Sequence, residues 1–379
     1  MRIYFDNAAS TPLDPQVIAA MTEVMHTHHG NPSSIHAEGR QARTLIEQSR
    51  RTVAKHLKAS IGEVFFTSGG TEANNMALKN AVRDLGVRRV ISSATEHHCV
   101  LHSVQALDRH TDDLEVIYLQ LDGRGYPDID QLKELLADPS KTTLVSLMHA
   151  NNEIGTMIDL ARVGAICQEY GAYFHSDTTQ TMGYYPIDVA TNYISFLTGS
   201  AHKFHGPKGV GFIYINGDNM ISPYLDGGAQ ERNMRAGTEN TYGIVGLAKA
   251  LDLAYTEQDS RRAYIRHLQQ YLKASIEAEF PAITFNGDPD KGHYKLLNLR
   301  LPASPQTDLL LFNMDIAGIS VSGGSACSSG TDTGSHVLRA IHGDTDNAVN
   351  MRVSFSHFNT EAEIDRFLEV LRAILRKGQ

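Results

Sequence analysis

The sequence has few cysteines and no long apolar run. Its 379 residues include three cysteines, Cys99, Cys167 and Cys327, with no C-x-x-C pair among them. An odd number at this spacing excludes a disulfide framework and a zinc knuckle. Charge-free spans such as residues 316–331 are rich in serine and glycine, so no stretch is apolar enough to cross a bilayer. Any special cysteine must therefore act through its free thiol.

Positive charge is also scarce. Lys and Arg number 34 against 43 Asp and Glu, a formal net charge of −9, so no overall field attracts the chain to nucleic acid or anionic lipid. An acidic side chain occurs already at Asp6, which leaves no room for the apolar core of a signal peptide. We therefore expect a cytoplasmic protein without nucleic-acid or membrane partners. At roughly 150 residues per domain, the length allows two or three domains.

Short β-branched and aromatic runs recur in the first part of the chain. Seven of them are typical of buried strands: 64–67, 90–92, 116–119, 144–147, 172–175, 194–197 and 211–214. Most are separated by segments with helical periodicity. This alternation predicts an α/β fold with a mostly parallel, doubly wound sheet.

The pattern changes in the last third of the chain. A long helical pattern over about residues 243–280 has one apolar face, and we expect it to bridge two domains with a hinge near residue 256. Beyond it, a strand at 296–301, a helix at 307–316, a strand at 351–355 and a final helix follow one another. This order predicts a smaller α+β domain.

Two segments place polar groups where a strand ends. In residues 66–75 a strand breaks at two glycines and opens a helix, so backbone N–H groups and the Thr71 hydroxyl can bind a phosphate. A tight turn with a cap explains this segment about as well. Asp177 follows a buried strand, at the edge where open α/β sheets bind ligands, and a protonated pyridine nitrogen would suit its carboxylate. A helix cap is the alternative for Asp177.

Lys203 lies in a glycine-bounded turn after another strand. Partial desolvation there favours the nucleophilic amine, which can bond covalently to an aldehyde cofactor. A solvated surface lysine is the alternative. Ser200 and His202 could hold a second side of the phosphate. Metal binding by His202 and His205 is not expected, because no partner residues stand at ligand spacing.

Cys327 lies in a Gly/Ser run, whereas most free cysteines are buried. A flexible, solvent-exposed loop would expose its thiol, which could then act as a mobile nucleophile or as a group carrier. Cys99 and Cys167 lie in periodic segments and are expected in the core. Arg352 lies in an apolar strand and could clamp the carboxylate of an amino-acid substrate. Amides near Asn152 end another strand and could bond to a ring substituent.

The order and the amino-acid sequences of these segments, across nearly the whole chain, resemble those of the cysteine desulfurases. These are pyridoxal-phosphate (PLP) enzymes of the class V aminotransferase group. The shared segments are 5–12, 30–36, 95–97, 235–238 and those around Asn152, Asp177, Lys203, Cys327 and Arg352. The resemblance implies a fold-type I PLP-dependent transferase with a seven-stranded, mostly parallel sheet. It also implies a large PLP-binding domain of residues 15–255. A small domain of residues 1–14 and 256–379 would carry the catalytic cysteine loop at about 322–335, and the enzyme would be a homodimer with shared active sites.

The resemblance also implies roles for individual residues. Lys203 would bond covalently to PLP and move protons, Asp177 would pair with the pyridinium nitrogen, and His97 would stack on the ring and assist proton transfer. Cys327 would attack the substrate sulfur, leaving L-alanine and an enzyme persulfide. Gln180 and Asn152 would contact the ring hydroxyl. The phosphate would be bound by Gly70, Thr71, Ser200 and His202, with Thr238 from the neighbouring subunit. The substrate carboxylate would be bound by Arg352 with Asn152.

The segment 322–327 resembles the branch that passes sulfur to iron–sulfur scaffold proteins, so the implied partners are L-cysteine and such an acceptor. Residues 332–334, Asp-Thr-Gly, depart from the usual Leu-acid-Pro of that branch, and Asn233 stands where glycine is common. No metal site is implied, apart from a transient iron–sulfur ligand at Cys327. The alternatives are a selenocysteine lyase, another class V aminotransferase, and a non-catalytic sulfur-carrier or assembly subunit.

Overall fold

The computed structural model describes residues 2–323, 334–344 and 346–376. In chain order its elements are β1 (Ile3–Tyr4), α1 (Pro15–Thr27), α2 (Ala37–Leu57), β2 (Val64–Thr67), α3 (Gly70–Asp84), β3 (Arg89–Ser93), α4 (His98–His110), β4 (Glu115–Leu119), α5 (Ile129–Leu136), β5 (Thr143–Ser146), α6 (Leu160–Glu169), β6 (Tyr173–Asp177), β7 (Phe196–Ser200), β8 (Gly211–Ile215), α7 (Thr241–Thr256), α8 (Gln258–Glu279), β9 (Thr284–Asn286), β10 (Leu296–Leu301), α9 (Leu310–Ile316), β11 (Ile319–Ser320), α10 (His336–His342), β12 (Val349–Ser354) and α11 (Glu361–Arg376). Single 3-10 turns lie at Ile61–Glu63, Ala201–Lys203 and Gln230–Asn233.

The central sheet has seven strands in the order β2-β8-β7-β6-β5-β3-β4. All neighbours pair in parallel except β8, which is antiparallel to both β2 and β7. Strands such as β5 and β7 are buried along their whole length, because helices cover both faces of the sheet. The prediction of a seven-stranded, mostly parallel α/β sheet is confirmed.

The predicted strand positions agree with the sheet, with small shifts at the ends. The largest shift is at β7, which was expected at 194–197 and lies at Phe196–Ser200. The strand expected at 296–301 coincides with β10. Apolar β-branched runs locate buried strands well because a strand covered on both faces has an almost continuous apolar sequence.

The segment 243–280, predicted to be helical with a hinge near residue 256, forms two helices that meet at Glu257. The chain leaves the helical conformation at Glu257, with φ −102° and ψ 13°, and forms the two helices α7 and α8. The apolar periodicity continues across the break, so periodicity alone does not mark its position. α7 packs against α1 and α2, whereas α8 packs against α11, and the turn at Glu257 is what permits these two packing directions.

The last part of the chain forms a second, antiparallel sheet in the order β12-β10-β9, and β1 pairs in parallel with β11. One hydrophobic cluster extends from Ile3 to Ile374 and includes residues of both sheets. The division into domains at residues 14/15 and 255/256 stays a prediction. No helix in the described ranges is long and apolar enough to cross a membrane.

Candidate active site

A cavity of about 240 Å³ lies at the carboxyl ends of β6 and β7, beside the start of α3. The N-terminal segment, through Ala8 and Ala9, and β12 close its other sides. The cavity brings together ten of the predicted site residues: Gly70, Thr71, His97, Asn152, Asp177, Gln180, Ser200, His202, Lys203 and Arg352. Residues from both ends of the chain therefore meet at one edge of the sheet, as expected for open α/β sheets.

Hydrogen bonds hold both the side-chain amine and the main-chain carbonyl of Lys203. The residue ends the short 3-10 turn that follows β7, and its Nζ donates to the main-chain carbonyls of Ala8 (2.8 Å) and Ala9 (2.9 Å). Its own carbonyl accepts from the Tyr184 hydroxyl (3.1 Å) and from Lys295 Nζ (2.8 Å). The side chain thus enters the cavity from a turn that the surrounding structure holds in place.

Asp177 is the last residue of β6 and is buried. Its Oδ2 accepts from Asn74 Nδ2 (2.7 Å) and its Oδ1 from the Thr179 N–H (2.8 Å). Both donors are neutral, so they orient the carboxylate without cancelling its charge. A cationic nitrogen in the cavity would complement that charge.

Asn74 is a site residue that the sequence analysis missed. It is fully buried in α3, where its Oδ1 accepts from Thr198 Oγ1 (2.7 Å) and His175 Nε2 (3.0 Å) while its amide nitrogen holds Asp177. Burial lowers the pKa of His175 to about 4, so the ring is neutral near pH 7. The one available signal was position, because Asn74 lies one helical turn after Gly70.

His97 caps the N-terminus of α4. Its Nδ1 accepts from the Cys99 N–H (3.2 Å) and lies 3.0 Å from Cys99 Sγ. Burial lowers the pKa of His97, and the nearby Asp177 opposes this only in part. A neutral imidazole that accepts at Nδ1 carries its proton on Nε2.

Cys99 packs against the hydrophobic core as expected, but it is only partly buried and also lines the cavity. Burial nevertheless raises the pKa of its thiol to about 12, so the group is protonated at neutral pH and is a poor nucleophile. Cys167 is buried in α6 as expected, and its pKa is also raised to about 12 by burial.

The start of α3 forms an anion cradle. Gly69 has φ +154° and turns the chain from β2 into the helix, whose first N–H groups have no intrahelical partner. A Cβ at Gly70 would lie 3.0 Å from Thr179 Oγ1, a buried hydroxyl without a hydrogen-bond partner among the described residues. Ser200 lies on the other side, 3.7 Å from a Cβ built at Gly69. This space and these unused donors fit a phosphate group.

Two other predicted residues complete the walls of the cavity. Gln180 Nε2 donates to the Ala8 carbonyl (3.0 Å), while its buried Oε1 has no partner among the described residues. His202 lies with Nδ1 3.3 Å from Ser10 Oγ. Burial, helped by nearby lysines, lowers the pKa of His202 to about 3. The ring is therefore a neutral hydrogen-bonding group.

Arg352 already has a carboxylate partner within the chain. Its Nη2 donates to Asp6 Oδ1 (2.8 Å) and its Nη1 to the main-chain carbonyl of Asn152 (2.7 Å). The sequence analysis expected a substrate carboxylate here and did not consider Asp6. The buried Nε has no partner among the described residues, and the residue lines the cavity.

Thr238 does not line this cavity. It borders a separate space of about 130 Å³ together with Glu231 and Arg235. The contribution of Thr238 to a neighbouring subunit's phosphate site stays a prediction. Asn233, which stands where glycine is common, has φ +65°, and asparagine tolerates this left-handed conformation better than other non-glycine residues.

Cys327 lies outside the described residues, as do Asp332 and Thr333. The described residues on either side of it are anchored beside the cavity. Ser322 exchanges main-chain hydrogen bonds with Arg352, and His336 Nε2 lies 2.8 Å from the carbonyl oxygen of Glu96. Within the described ranges, no cluster of three or more His, Cys, Asp or Glu side chains could hold a metal ion.

A lysine in a turn at one strand end, a buried carboxylate at the next and an anion cradle at a helix start are suited to an enzyme that binds a phosphorylated aldehyde cofactor. The model of the aminotransferase class-V family matches residues 3–367. Cysteine desulfurase IscS of Dictyoglomus turgidum is 40% identical over 378 residues, covering 99% of this chain and 95% of the relative. The chain belongs to the class V aminotransferase family and, within it, to the cysteine desulfurases, which are PLP-dependent enzymes.

Solved structures agree with this assignment. A NifS-like protein is 33% identical and superposes with a TM-score of 0.90 over 99% of both chains. A second structure, of SspA in complex with cysteine, is 30% identical with a TM-score of 0.81 and covers 95% of this chain and all of that one. The expected fold-type I architecture is thereby confirmed.

Proposed function

We propose that this cysteine desulfurase uses PLP to convert L-cysteine into L-alanine and a persulfide on Cys327, and that it donates this sulfur for iron–sulfur cluster assembly or other thiolation. The observation that carries the proposal is the convergence of Lys203 and Asp177 on one cavity beside a helix N-terminus. The complex of SspA with cysteine supports an amino-acid substrate of this kind.

The cavity residues fit PLP. Lys203 would bond to its aldehyde carbon, Asp177 would pair with its ring nitrogen, and the α3 cradle with Ser200 and His202 would hold its phosphate. The unpartnered hydroxyl of Thr179 and amide oxygen of Gln180 are suited to the remaining polar atoms of such a ligand. When bound, PLP supplies an electron sink that weakens the bonds at the substrate's α and β carbons.

The chain's own residues then have defined tasks. Lys203 Nζ is the base that moves protons at the substrate α carbon, and the carbonyls of Ala8 and Ala9 orient it. His97, neutral and protonated on Nε2, offers a flat ring face and one donor to the cavity. Asp177 is oriented by the neutral donors Asn74 and Thr179, and its carboxylate would stabilise a cation opposite it.

Arg352 lines the cavity and would bind the substrate carboxylate. Charge-assisted bonds of this type fix orientation as well as affinity. The thiolate of Cys327 attacks the substrate sulfur, so that an S–S bond forms at Cys327 as the C–S bond of the substrate breaks. The anchoring of Ser322 to Arg352 supports this role, because it starts the cysteine segment beside the substrate site.

We further propose a homodimer to which Thr238 contributes across subunits, the domain division at residues 15 and 255, and a cytoplasmic location. These rest on the resemblance and the composition. The transient iron–sulfur ligand role of Cys327 and the scaffold-type acceptor have the same basis.

The test is to quantify L-alanine and sulfide after giving the purified, PLP-loaded protein L-cysteine and a reductant. Equal amounts of both products are expected. Cys327→Ser should keep the coloured cofactor and lose sulfide release, whereas Cys167→Ser, which changes a cysteine remote from the cavity, should retain it. Pyruvate or no product would contradict the proposal and favour amino transfer or the carrier alternative. A strong preference for L-selenocysteine would favour the lyase.

A further inference from the structure

Lys295 is a buried lysine behind the cavity that the proposed mechanism does not use. It directly precedes β10, and its side chain is 0% exposed. It does not line the cavity. Its Nζ donates to the main-chain carbonyl of Lys203 at 2.8 Å and lies 4.3 Å from the centre of the Tyr184 ring. Lys295 therefore contacts the main chain of the cavity lysine without lining the cavity itself.

Lys295 has no counter-ion among the residues that the structure describes. No carboxylate among the described residues forms an ion pair with it, and the charged groups that act on it are the cations Lys203 and Arg352. Burial, strengthened by these two cations, lowers the pKa of Lys295 well below its ordinary value. Burying the amine therefore costs free energy that no salt bridge among the described residues offsets.

The Lys203 carbonyl does not need Lys295 in order to have a hydrogen-bond partner. The Tyr184 hydroxyl already donates to the Lys203 carbonyl at 3.1 Å, so the carbonyl would keep a partner without Lys295. A methionine of similar length would fill the same space without the cost of burying a polar group. Lys295 thus lowers the stability of the fold while it adds a second, shorter hydrogen bond to the Lys203 carbonyl.

We infer that Lys295 is a positioning residue for Lys203: its amine fixes the Lys203 carbonyl and thereby the direction in which the Lys203 side chain enters the cavity. The inference rests on the proposed function, in which Lys203 bonds covalently to PLP. With the backbone held by Lys295 and Nζ held by Ala8 and Ala9, the amine approaches the aldehyde carbon along one defined path. Misplacement of a reacting group by a fraction of its approach distance slows bond formation strongly.

The test compares the wild-type and Lys295→Met apoproteins in their rate of covalent capture of PLP, measured by stopped-flow absorbance and borohydride trapping. Capture should slow roughly tenfold in Lys295→Met, while the pH midpoint of capture stays the same. The affinity for pyridoxamine phosphate, which has no aldehyde, should be unchanged. The melting temperature should be equal or higher. Tyr184→Phe, which removes the other donor to the same carbonyl but keeps the ring, should capture PLP within about twofold of the wild-type rate.

Four results with the Lys295→Met protein would overturn the inference. These are an unchanged capture rate, a shifted pH midpoint that explains the whole loss, weakened pyridoxamine phosphate binding, or a less stable or unfolded Lys295→Met protein. An equal loss in Tyr184→Phe would also overturn it, because any donor to the carbonyl would then suffice. Failure of the proposed function gives a different result: the wild-type protein itself would not be trapped at Lys203.

Discussion

The guanidinium of Arg352 donates to the carboxylate of Asp6, with Nη2 2.8 Å from Oδ1. This ion pair joins the N-terminal segment to β12 near the other end of the chain. Arg352 is only 1% exposed, so its charge needs a partner before any substrate arrives. The Asp6 pair therefore stabilises the fold and orients the guanidinium at the cavity wall.

Replacing Asp6 should show how much this ion pair contributes to the free energy of unfolding. We expect Asp6→Asn to lower the free energy of unfolding by about 1–3 kcal/mol, because the buried guanidinium loses its counter-ion. Chemical denaturation measures the change. Asp315→Asn is the matched control: Asp315 pairs with Arg2 on the surface, where both side chains are at least 60% exposed, and no measurable loss is expected. Equal stability of the two variants would contradict the prediction.

Asn74 should matter for cofactor binding although it does not bear charge. Asn74→Ala removes the donor to Asp177 and leaves the Thr198 hydroxyl and His175 without their acceptor. We expect roughly tenfold weaker PLP binding, since a lost hydrogen bond to a charged group is worth about 1.5–3 kcal/mol. Equilibrium titration of the apoprotein measures it. Asn75→Ala, one position along the same helix, should bind normally. Unchanged binding by Asn74→Ala would show that Asp177 needs no such support.

The three cysteines should differ sharply in reactivity. Burial raises the pKa of both Cys99 and Cys167 to about 12, so neither forms an appreciable amount of thiolate near pH 7. A limited iodoacetamide treatment at pH 7, read by peptide mass spectrometry, should therefore label Cys327 alone. The Cys327→Ser protein should stay unlabelled under the same conditions. Labelling of Cys99 in that variant would contradict the assignment.

The protein should lose stability as the pH falls from about 6.5 towards 4. Burial lowers the pKa of His149 and His175 from the ordinary 6.5 to about 4. Between these values the unfolded chain binds protons that the folded chain does not, so stability decreases as the pH falls. Melting temperatures across this range measure the slope. His149→Gln should flatten it, and His26→Gln, which changes an exposed ring, should not. A slope unaffected by His149→Gln would exclude a contribution from that ring.

Local sequence determined much of this protein. Each strand of the large sheet was predictable because β-branched runs encode burial directly. Gly69, Asp177 and Lys203 were recognisable because breaks after strands mark the ligand edge of an α/β sheet. The break at Glu257 lies next to the hinge expected near residue 256. The apolar periodicity of α7 continues into α8, so the two packing directions of these helices came only from the tertiary structure.

Tertiary structure alone decided how the site is supported. Asn74 and Asp177 are 103 positions apart and Asp6 and Arg352 are 346 apart, so no local pattern links either pair. The same holds for Lys295 and the Lys203 carbonyl. Asp177 and Lys203, which are proposed to act on the ligand, lie at a strand end and in a turn, where the local sequence marks them. The groups that orient them meet only when the sheet brings distant segments together, because hydrogen bonds depend on distance in space and not along the chain.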